Sequence, residues 1–497
     1  MRGRFVACGS LLLSLMVSAC SGGGGGSLPV GAHGGTPGSQ SGAPVASGTI
    51  YAVSSHTIGL NGGTNCGYVN VSYTSSTTID ANGYALAPGV YANVYGTGSC
   101  TTSIAASTIS LGGDVSQNAG GSNTVPQAHV LTADYLGGYA GTKTVTAQQA
   151  APVLTWAEVS IQDANNVAAA GIKTLDYVDP FRQAATDPLY TPDETTFAHD
   201  CSGSRIPIYF GSAPQYLMNP GSADLQTLME DWQAGELRSG HIDAFFYDDI
   251  DTLYGVSPLP CDPPASSWDS LIASFIDASQ HPVVFNGFAM NADSAGLIAL
   301  SSVLGGMVEG CYGDASSATA PYTTGSDWIR NENLQLAAAA AQKLFFCYNT
   351  PTSDAVSSIG LRQYIDASFL LTYAPSSSVL WEYFSTASGL HVFPESEVVP
   401  TSPLVSTPGS VSNLQAAGGA YVREYGNCYV DGQSAGACAA VVNPSSGGSV
   451  PFPSLSRTYG HTMAISGYGV LDGGSVSAAG PAPPATIPPE TGLIVFP

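Results

Sequence analysis

Positive charge is scarce in this chain: its 497 residues carry 12 Lys and Arg against 36 Asp and Glu, a formal net charge of −24. A surface of that sign repels phosphate backbones and other polyanions, which excludes nucleic acid as a natural partner. Charge of either sign is thin, at 10 % of residues, while Gly, Ser, Thr, Ala and Tyr abound, so the expected surface is neutral-polar and rich in hydroxyls. Metal-ligand spacing is also missing. His199, His241, His281, His391 and His461 are scattered with no His-Glu-x-x-His motif, and the cysteines show no paired zinc spacing. A zinc hydrolase is therefore not expected, and no metal or other cofactor is called for. No Gly-x-Gly-x-x-Gly loop follows an early strand, which removes the dinucleotide-binding folds. No Gly-x-Ser-x-Gly nucleophile elbow is expected, which argues against an α/β-hydrolase esterase.

What is there begins at the N-terminus. Met1 to Cys20 holds two arginines, the apolar stretch LLLSLMV and then Ser18-Ala19-Cys20, the three parts of an export signal. The apolar stretch is too short to cross a bilayer. It resembles a bacterial lipoprotein signal with the lipobox Val17-Ser18-Ala19-Cys20. The resemblance implies loss of residues 1–19, acylation of Cys20 and attachment to a membrane through that lipid. Ser21 stands where inner-membrane lipoproteins often carry Asp, which implies the outer membrane of a Gram-negative envelope. Residues 20–47 are mostly Gly, Ser, Pro and Ala and can offset none of the entropy of ordering, so they read as a tether. Setting aside Cys8 and Cys20 leaves Cys66, Cys100, Cys201, Cys261, Cys311, Cys347, Cys428 and Cys438. An even set suits disulfides in an oxidising compartment, and successive pairing keeps each bridge inside one module, although spacing alone does not fix connectivity.

Three folded parts follow. Residues 48–113 read as short alternating strands with Gly and Asn at the joints, a small β-barrel or sandwich without a titratable cluster. The TIYAVSSHTIGL and ALAPGVYANVYG phrases resemble the OB-like domains that lipoproteins carry near their tether. Residues 126–400 alternate strand-like and helix-like segments. Eight strands are expected, at Ala128–Tyr135, Val153–Val159, Lys173–Val178, Ala244–Asp248, Pro282–Phe285, Met307–Glu309, Leu344–Tyr348 and Val379–Tyr383. Eight strand–helix alternations of this span fit one α/β (β/α)8 TIM barrel. Residues 402–497 return to strands and Gly, Pro and Ser turns, the pattern of a C-terminal β-sandwich.

The most informative stretch is His241 to Asp251, in which the apolar run Ala244-Phe245-Phe246-Tyr247 stops in Asp248, Asp249 and Asp251. Ionised carboxylates cannot follow a buried strand into the core without partners. In a TIM barrel the rim at the C-terminal strand ends is free to hold a ligand. Asp134, Tyr135, Glu158, Asp176, Tyr177, Asp179, Tyr247, Asn286, Glu309, Tyr312, Tyr348, Asn349, Trp381, Glu382 and Tyr383 sit at the other strand ends. Acids that bond hydroxyls and aromatic rings that stack on sugars are what a glycan site requires.

Phe245-Phe246-Tyr247-Asp248-Asp249-Ile250 resembles the GVFLDNV strand-four signature of polygalactosaminidase-like and related TIM-barrel glycoside hydrolases. Val308-Glu309-Gly310 and Tyr421-Val422-Arg423-Glu424-Tyr425, with Cys428 and Cys438 following, are similar to a bacterial group of that kind. The resemblance runs from about Ala128 to the C-terminus and implies that the strand-four Asp248 and the strand-six Glu309 are the catalytic acids. Asp249 departs from it, standing where Asn is commoner. Hydrolysis needs one ionised and one protonated carboxyl. The reading makes Asp248 the nucleophile or base and Glu309 the general acid, with Glu158 and Glu382 in reserve. Asp134, Tyr135, Tyr177, Tyr247, Asp249, Asn286, Tyr312, Asn349, Trp381 and Glu382 are expected to bind substrate. Calcium would draw on the same hard oxygens as Asp249 and Asp251, but the twelve-residue calcium loop is absent. The partner is a polysaccharide or oligosaccharide. The rival is a non-catalytic carbohydrate-binding or scaffold lipoprotein, favoured if the two carboxyls lie more than about 12 Å apart.

Overall fold

The apolar segments of residues 126–400 pair edge to edge, and in the computed structural model of the protein they close into a cylinder. The structure describes residues 45–53, 56–62, 67–80, 91–97, 104–111, 129–136, 145–210, 213–250, 253–290, 293–314, 320–351, 356–382, 392–467, 469 and 473–497. The export signal, Cys20, nearly all of the tether, the expected Cys66–Cys100 bridge, Asp251 and Tyr383 lie outside the described residues. Among the described residues, those of 45–111 and those from 129 onward form separate compact units.

The cylinder strands are β1 (Leu131–Leu136), β2 (Trp156–Val159), β3 (Lys173–Val178), β4 (Ala244–Tyr247), β5 (Val283–Asn286), β6 (Val303–Asp314), β7 (Leu344–Thr350) and β8 (Ser378–Glu382). Neighbours are parallel throughout, in the closed order 4-5-6-7-8-1-2-3. This is the expected (β/α)8 barrel. All four positions of β4 are buried, because one face meets the barrel interior and the other meets the helix layer. The helices are α1 (Ala147–Ala150), α2 (Ile161–Ala169), α3 (Ala223–Ser239), α4 (Trp268–Asp277), α5 (Ser294–Ile298), α6 (Gly325–Ala340) and α7 (Val356–Leu371). α3 starts where Ser222 accepts the backbone N–H of Leu225, satisfying a donor that has no partner in the first turn.

Alternation along each strand decides which side chains face the interior. Ala133, Trp156, Leu175, Phe246, Met307 and Trp381 share the inner core, so Asp248, Asn286 and Glu309, each two residues beyond an inward position, point the same way. Tight packing lets β5, β6 and β7 meet: a Cβ on Gly306 would lie 2.8 Å from the Phe288 ring, and one on Gly305 2.7 Å from the Leu344 carbonyl oxygen. β6 is longer than the expected Met307–Glu309. Its pairing with β7 slips between Glu309 and Asp314, with Gly310 at φ 62°. Glu309 therefore sits at a bulge rather than at a strand end, and bulges re-aim side chains beside active sites.

Between β3 and α3 the chain makes an excursion that holds a three-stranded sheet of Arg182–Gln183, Ala213–Leu217 and Pro207–Phe210. Cys201–Cys261 ties this excursion to the segment after β4, Cys311–Cys347 joins β6 to β7, and Cys428–Cys438 staples the C-terminal sheet. That sheet has five antiparallel strands in the order Val398–Pro403, Tyr421–Val430, Gln433–Asn443, Thr491–Phe496 and His461–Thr462, and two short two-stranded pairs accompany it. It packs on α7, where a Cβ on Gly492 would meet Tyr364 Cα at 2.7 Å. Buried Arg423 donates to the carbonyls of Leu371 and Tyr373 at 3.1 Å each, partnering acceptors that the end of α7 leaves open. Gly432-Gln433-Ser434-Ala435-Gly436 carries the letters of a hydrolase elbow. It occupies the hairpin between two antiparallel strands, with Ser434 Oγ donating to Asn427 Oδ1, so no strand-to-helix elbow forms there.

In the N-terminal unit, Ala46–Val53, Thr57–Gly62, Gly67–Ser72, Ile104–Leu111 and Tyr91–Thr97 pair in a ring, because Gly67–Ser72 also pairs with Ile104–Leu111. Ile50, Ile58, Leu60, Val71, Val94 and Ile109 fill its interior. No helix among the described residues is long and apolar enough to cross a membrane.

Candidate active site

β4 delivers Asp248 to the mouth with its backbone fixed, since the Asp248 N–H donates to the Val178 carbonyl at 2.9 Å. Three donors converge on its carboxylate. Asn286 Nδ2 and the Asp249 N–H reach Oδ1 at 2.8 and 2.9 Å, and the Tyr177 hydroxyl reaches Oδ2 at 2.8 Å. The same Asn286 Nδ2 lies 3.5 Å from Glu309 Oε2. Through that shared amide the two carboxylate oxygens stand no more than about 6.3 Å apart, far inside the separation of about 12 Å that would favour a binding role alone.

Glu309 reaches solvent although protein atoms crowd its carboxyl. That crowding first, then the charge of Asp248 and that of Asp314, push it up to about 7, against the opposing hydrogen bond from Asn286. One site thus holds a carboxyl that keeps its proton near neutrality and a second that collects donors, the division of labour required of an acid and its ionised partner.

Behind Asp248 lies a further charged group. Asp249 has φ 53° and pairs with Arg182, Nη1 to Oδ2 2.7 Å. Asp179 accepts the backbone N–H groups of Phe181 and Arg182 at 3.0 and 2.9 Å. Burial, then the charges of Asp249 and Asp248, hold the Asp179 carboxyl well above its ordinary value, while Arg182 and the Phe181 N–H pull the other way. Arg182 was not among the expected site residues. Its only sequence signal is an arginine three positions after an acid at the end of β3, in a chain with few cations.

Of the expected set, Asp248, Glu309, Asn286, Tyr177 and Asp249 are brought together. Tyr135 is partly exposed on the inner face and sits 5.2 Å from the Trp381 ring. Trp381 is fully buried between Tyr135, Tyr348, Phe246 and Phe346, which makes it floor rather than platform. Glu158 shares the inward face with Trp156 and is buried.

Five expected substrate ligands lie elsewhere: Tyr247, Asn349, Glu382 and Asp134 each neighbour an inward residue and so point outward, and Tyr312 follows the bulge in β6. The Tyr247 hydroxyl meets Gln233 of α3 at 2.8 Å. The Tyr312 hydroxyl donates to Gln335 of α6 at 3.1 Å. Asn349 accepts the backbone N–H groups of Tyr312 and Gly313 at 2.8 and 3.0 Å. Glu382 is buried near Arg362, Asp366 and Glu395. Asp134 is fully buried on the helix side of β1, accepting the Tyr135 N–H. Asp176 likewise faces α3, where burial and then Glu236 push it up to about 8. The expectation that these residues line the mouth is corrected by the period-two alternation of the strands.

No family model matches the sequence, and no curated protein matches it. Solved structures do. Aspergillus fumigatus Ega3 in complex with galactosamine aligns at 12 % identity over 55 % of this chain and 98 % of its own, TM-score 0.34. The GH36 alpha-galactosidase AgaA of Geobacillus stearothermophilus aligns at 9 % identity, TM-score 0.35, over 74 % of this chain, which spans 55 % of that enzyme. The maltogenic alpha-amylase AmyB of Thermotoga neapolitana aligns at 9 % identity over 75 % of this chain and 99 % of its own, TM-score 0.34.

Proposed function

We propose that the protein is a glycoside hydrolase that cleaves a polysaccharide with retention of configuration. The observation that carries this reading is the single Asn286 amide within reach of both Asp248 and Glu309, which holds one oxygen of each carboxyl inside the about 6.5–9.5 Å of inverting enzymes and favours the about 5–5.5 Å arrangement of retaining ones. In the first step Glu309 donates its proton to the departing glycosidic oxygen while Asp248 Oδ2 attacks the anomeric carbon, forming a glycosyl ester and releasing the leaving sugar. In the second step Glu309, now ionised, takes a proton from water. The water adds to the anomeric carbon and Asp248 departs as carboxylate.

Tyr177 and Asn286 hold the Asp248 carboxylate for in-line attack, and Asn286 fixes its spacing from Glu309. Tyr135 and Tyr177 offer partly exposed rings at the mouth. Carboxyls outnumber cations around the site, so a neutral or cationic glycan fits and a polyanionic one does not. The remaining organisation completes the proposal: an exported lipoprotein anchored in the outer membrane through Cys20, a tether, and an OB-like β-domain as spacer or binding module. Proton NMR of the first product formed from a cleaved polysaccharide tests the mechanism. The product should carry the anomeric configuration of the substrate, and an inverted anomer would remove Asp248 as nucleophile.

A further inference from the structure

We propose that Arg182 is a positioning residue for the Asp248 carboxylate, acting through Asp249. The proposal rests on the glycosidase reading above and assigns Asp249 a task other than holding substrate. Asp249 sits at φ 53°, a left-handed conformation that non-glycine residues adopt only with local support. Strain of this kind persists where surrounding contacts over-determine it. The peptide that joins the two residues points the Asp249 N–H onto Asp248 Oδ1 at 2.9 Å, supplying one of the three donors that hold the carboxylate, and the left-handed φ sets the direction in which the Asp249 side chain leaves that peptide.

The peptides on either side are pinned independently. Asp248 N–H donates to the Val178 carbonyl at 2.9 Å, and Ile250 N–H to the Asn286 carbonyl at 3.1 Å. The Asp249 side chain is gripped by Arg182 at 2.7 Å. Arg182 is itself immobile. Its side chain is 9 % exposed, its backbone pairs with Leu217 in the three-stranded sheet, and its N–H donates to Asp179 Oδ1 at 2.9 Å. The order of support therefore runs from Asp179 through Arg182 and Asp249 to Asp248. Charge works in the same direction, because Asp249 and Asp248 each disfavour the ionised form of Asp179 and the Arg182 guanidinium opposes them. Arg182 reaches the reaction through another residue, so it positions and does not itself react.

The test compares Arg182→Met, which removes the charge and the fork, with Arg182→Lys, which keeps the charge. Each variant is crystallised and its reducing-sugar release is measured on the polysaccharide that the wild type cleaves. In Arg182→Met, Asp249 should leave the left-handed region and Asp248 Oδ1 should lose that donor. Its kcat should fall on the order of tenfold to a hundredfold, with KM within about twofold, and Arg182→Lys should recover part of the loss. A crystal structure of Arg182→Met that retains Asp249 near its present φ and the contact to Asp248, or a kcat equal to wild type, would overturn the proposal. If the wild type cleaves nothing, the glycosidase reading fails while the crystallographic comparison still decides the positioning role. Should Arg182→Met not fold, Arg182→Gln carries the same comparison.

Discussion

Glu309 is the residue on which pH should act. Its carboxyl is pushed up to about 7 by crowding and by Asp248, so the acid form persists into the neutral range and activity should fall as pH rises through about 7. Glu309→Gln should lose that limb together with most of the turnover. A profile of kcat/KM against pH checks this, and a falling limb unchanged in the variant would assign it to another group. The same shift links to stability. The folded state holds the Glu309 proton more tightly than the unfolded chain, so its stabilising contribution is complete below the ordinary value of 4.5 and is lost as pH rises through about 7. Glu309→Gln should accordingly melt higher than wild type above that pH, the usual exchange between function and stability. Thermal denaturation at about pH 8 reads it, and a lower Tm for the variant there would contradict it. At this scale the sequence was legible where an acid ended an apolar run, as at Asp248. Neighbouring residues such as Tyr247 and Glu382 were misread because adjacent strand positions face opposite sides, and a run buried on both faces gives no alternation to tell them apart. Arg182 was invisible because its partner Asp249 lies far along the chain.

Elements meet at a second buried charge cluster, between α7, the end of β8 and the segment Pro394–Glu397. Arg362 of α7 makes two hydrogen bonds to Glu395, at 2.5 and 2.6 Å, and a third to the Gly467 carbonyl at 3.0 Å. Both partners of the ion pair are fully buried. Glu395→Ala would remove the carboxylate that makes two hydrogen bonds to the guanidinium and should cost about 3–5 kcal/mol, measurable by denaturant unfolding; a loss below about 1 kcal/mol would show that the pair contributes little. Burial, then Glu395, raises both Asp366 and Glu382 well above their ordinary values, and Arg362 opposes this. Glu397 is raised as well, by burial, Asp431 and Glu395. Raised folded-state values place the stability of this seam in acid and withdraw it as pH rises. Asp366→Asn should therefore raise the Tm at about pH 8 more than at about pH 5, and equal shifts at both would show that Asp366 is ionised throughout. The barrel elements were readable in advance where a short apolar run precedes a long helix, as β4 precedes α4 and β7 precedes α7. The bulge that re-aims Glu309 was not, since it depends on the slip of β6 against β7.

At the scale of the whole molecule, charge sets what can approach. With −24 spread over 497 residues, a uronic or sulfated polymer meets repulsion before it meets the mouth, and at low ionic strength that repulsion is least screened. Affinity electrophoresis in low salt should show retardation by neutral or amino-sugar polysaccharides and none by polyanionic ones; tight binding of a polyanion would refute the electrostatic argument. On the proposed mechanism Asp248 and Glu309 act together on one glycosidic bond. The most direct measurement is reducing-sugar release from a panel of neutral and amino-sugar polysaccharides by the wild type, Asp248→Asn and Glu309→Gln, side by side. The wild type should turn over at least one polymer, and each variant should lose on the order of a thousandfold or more. Turnover that survives both substitutions unchanged would contradict it.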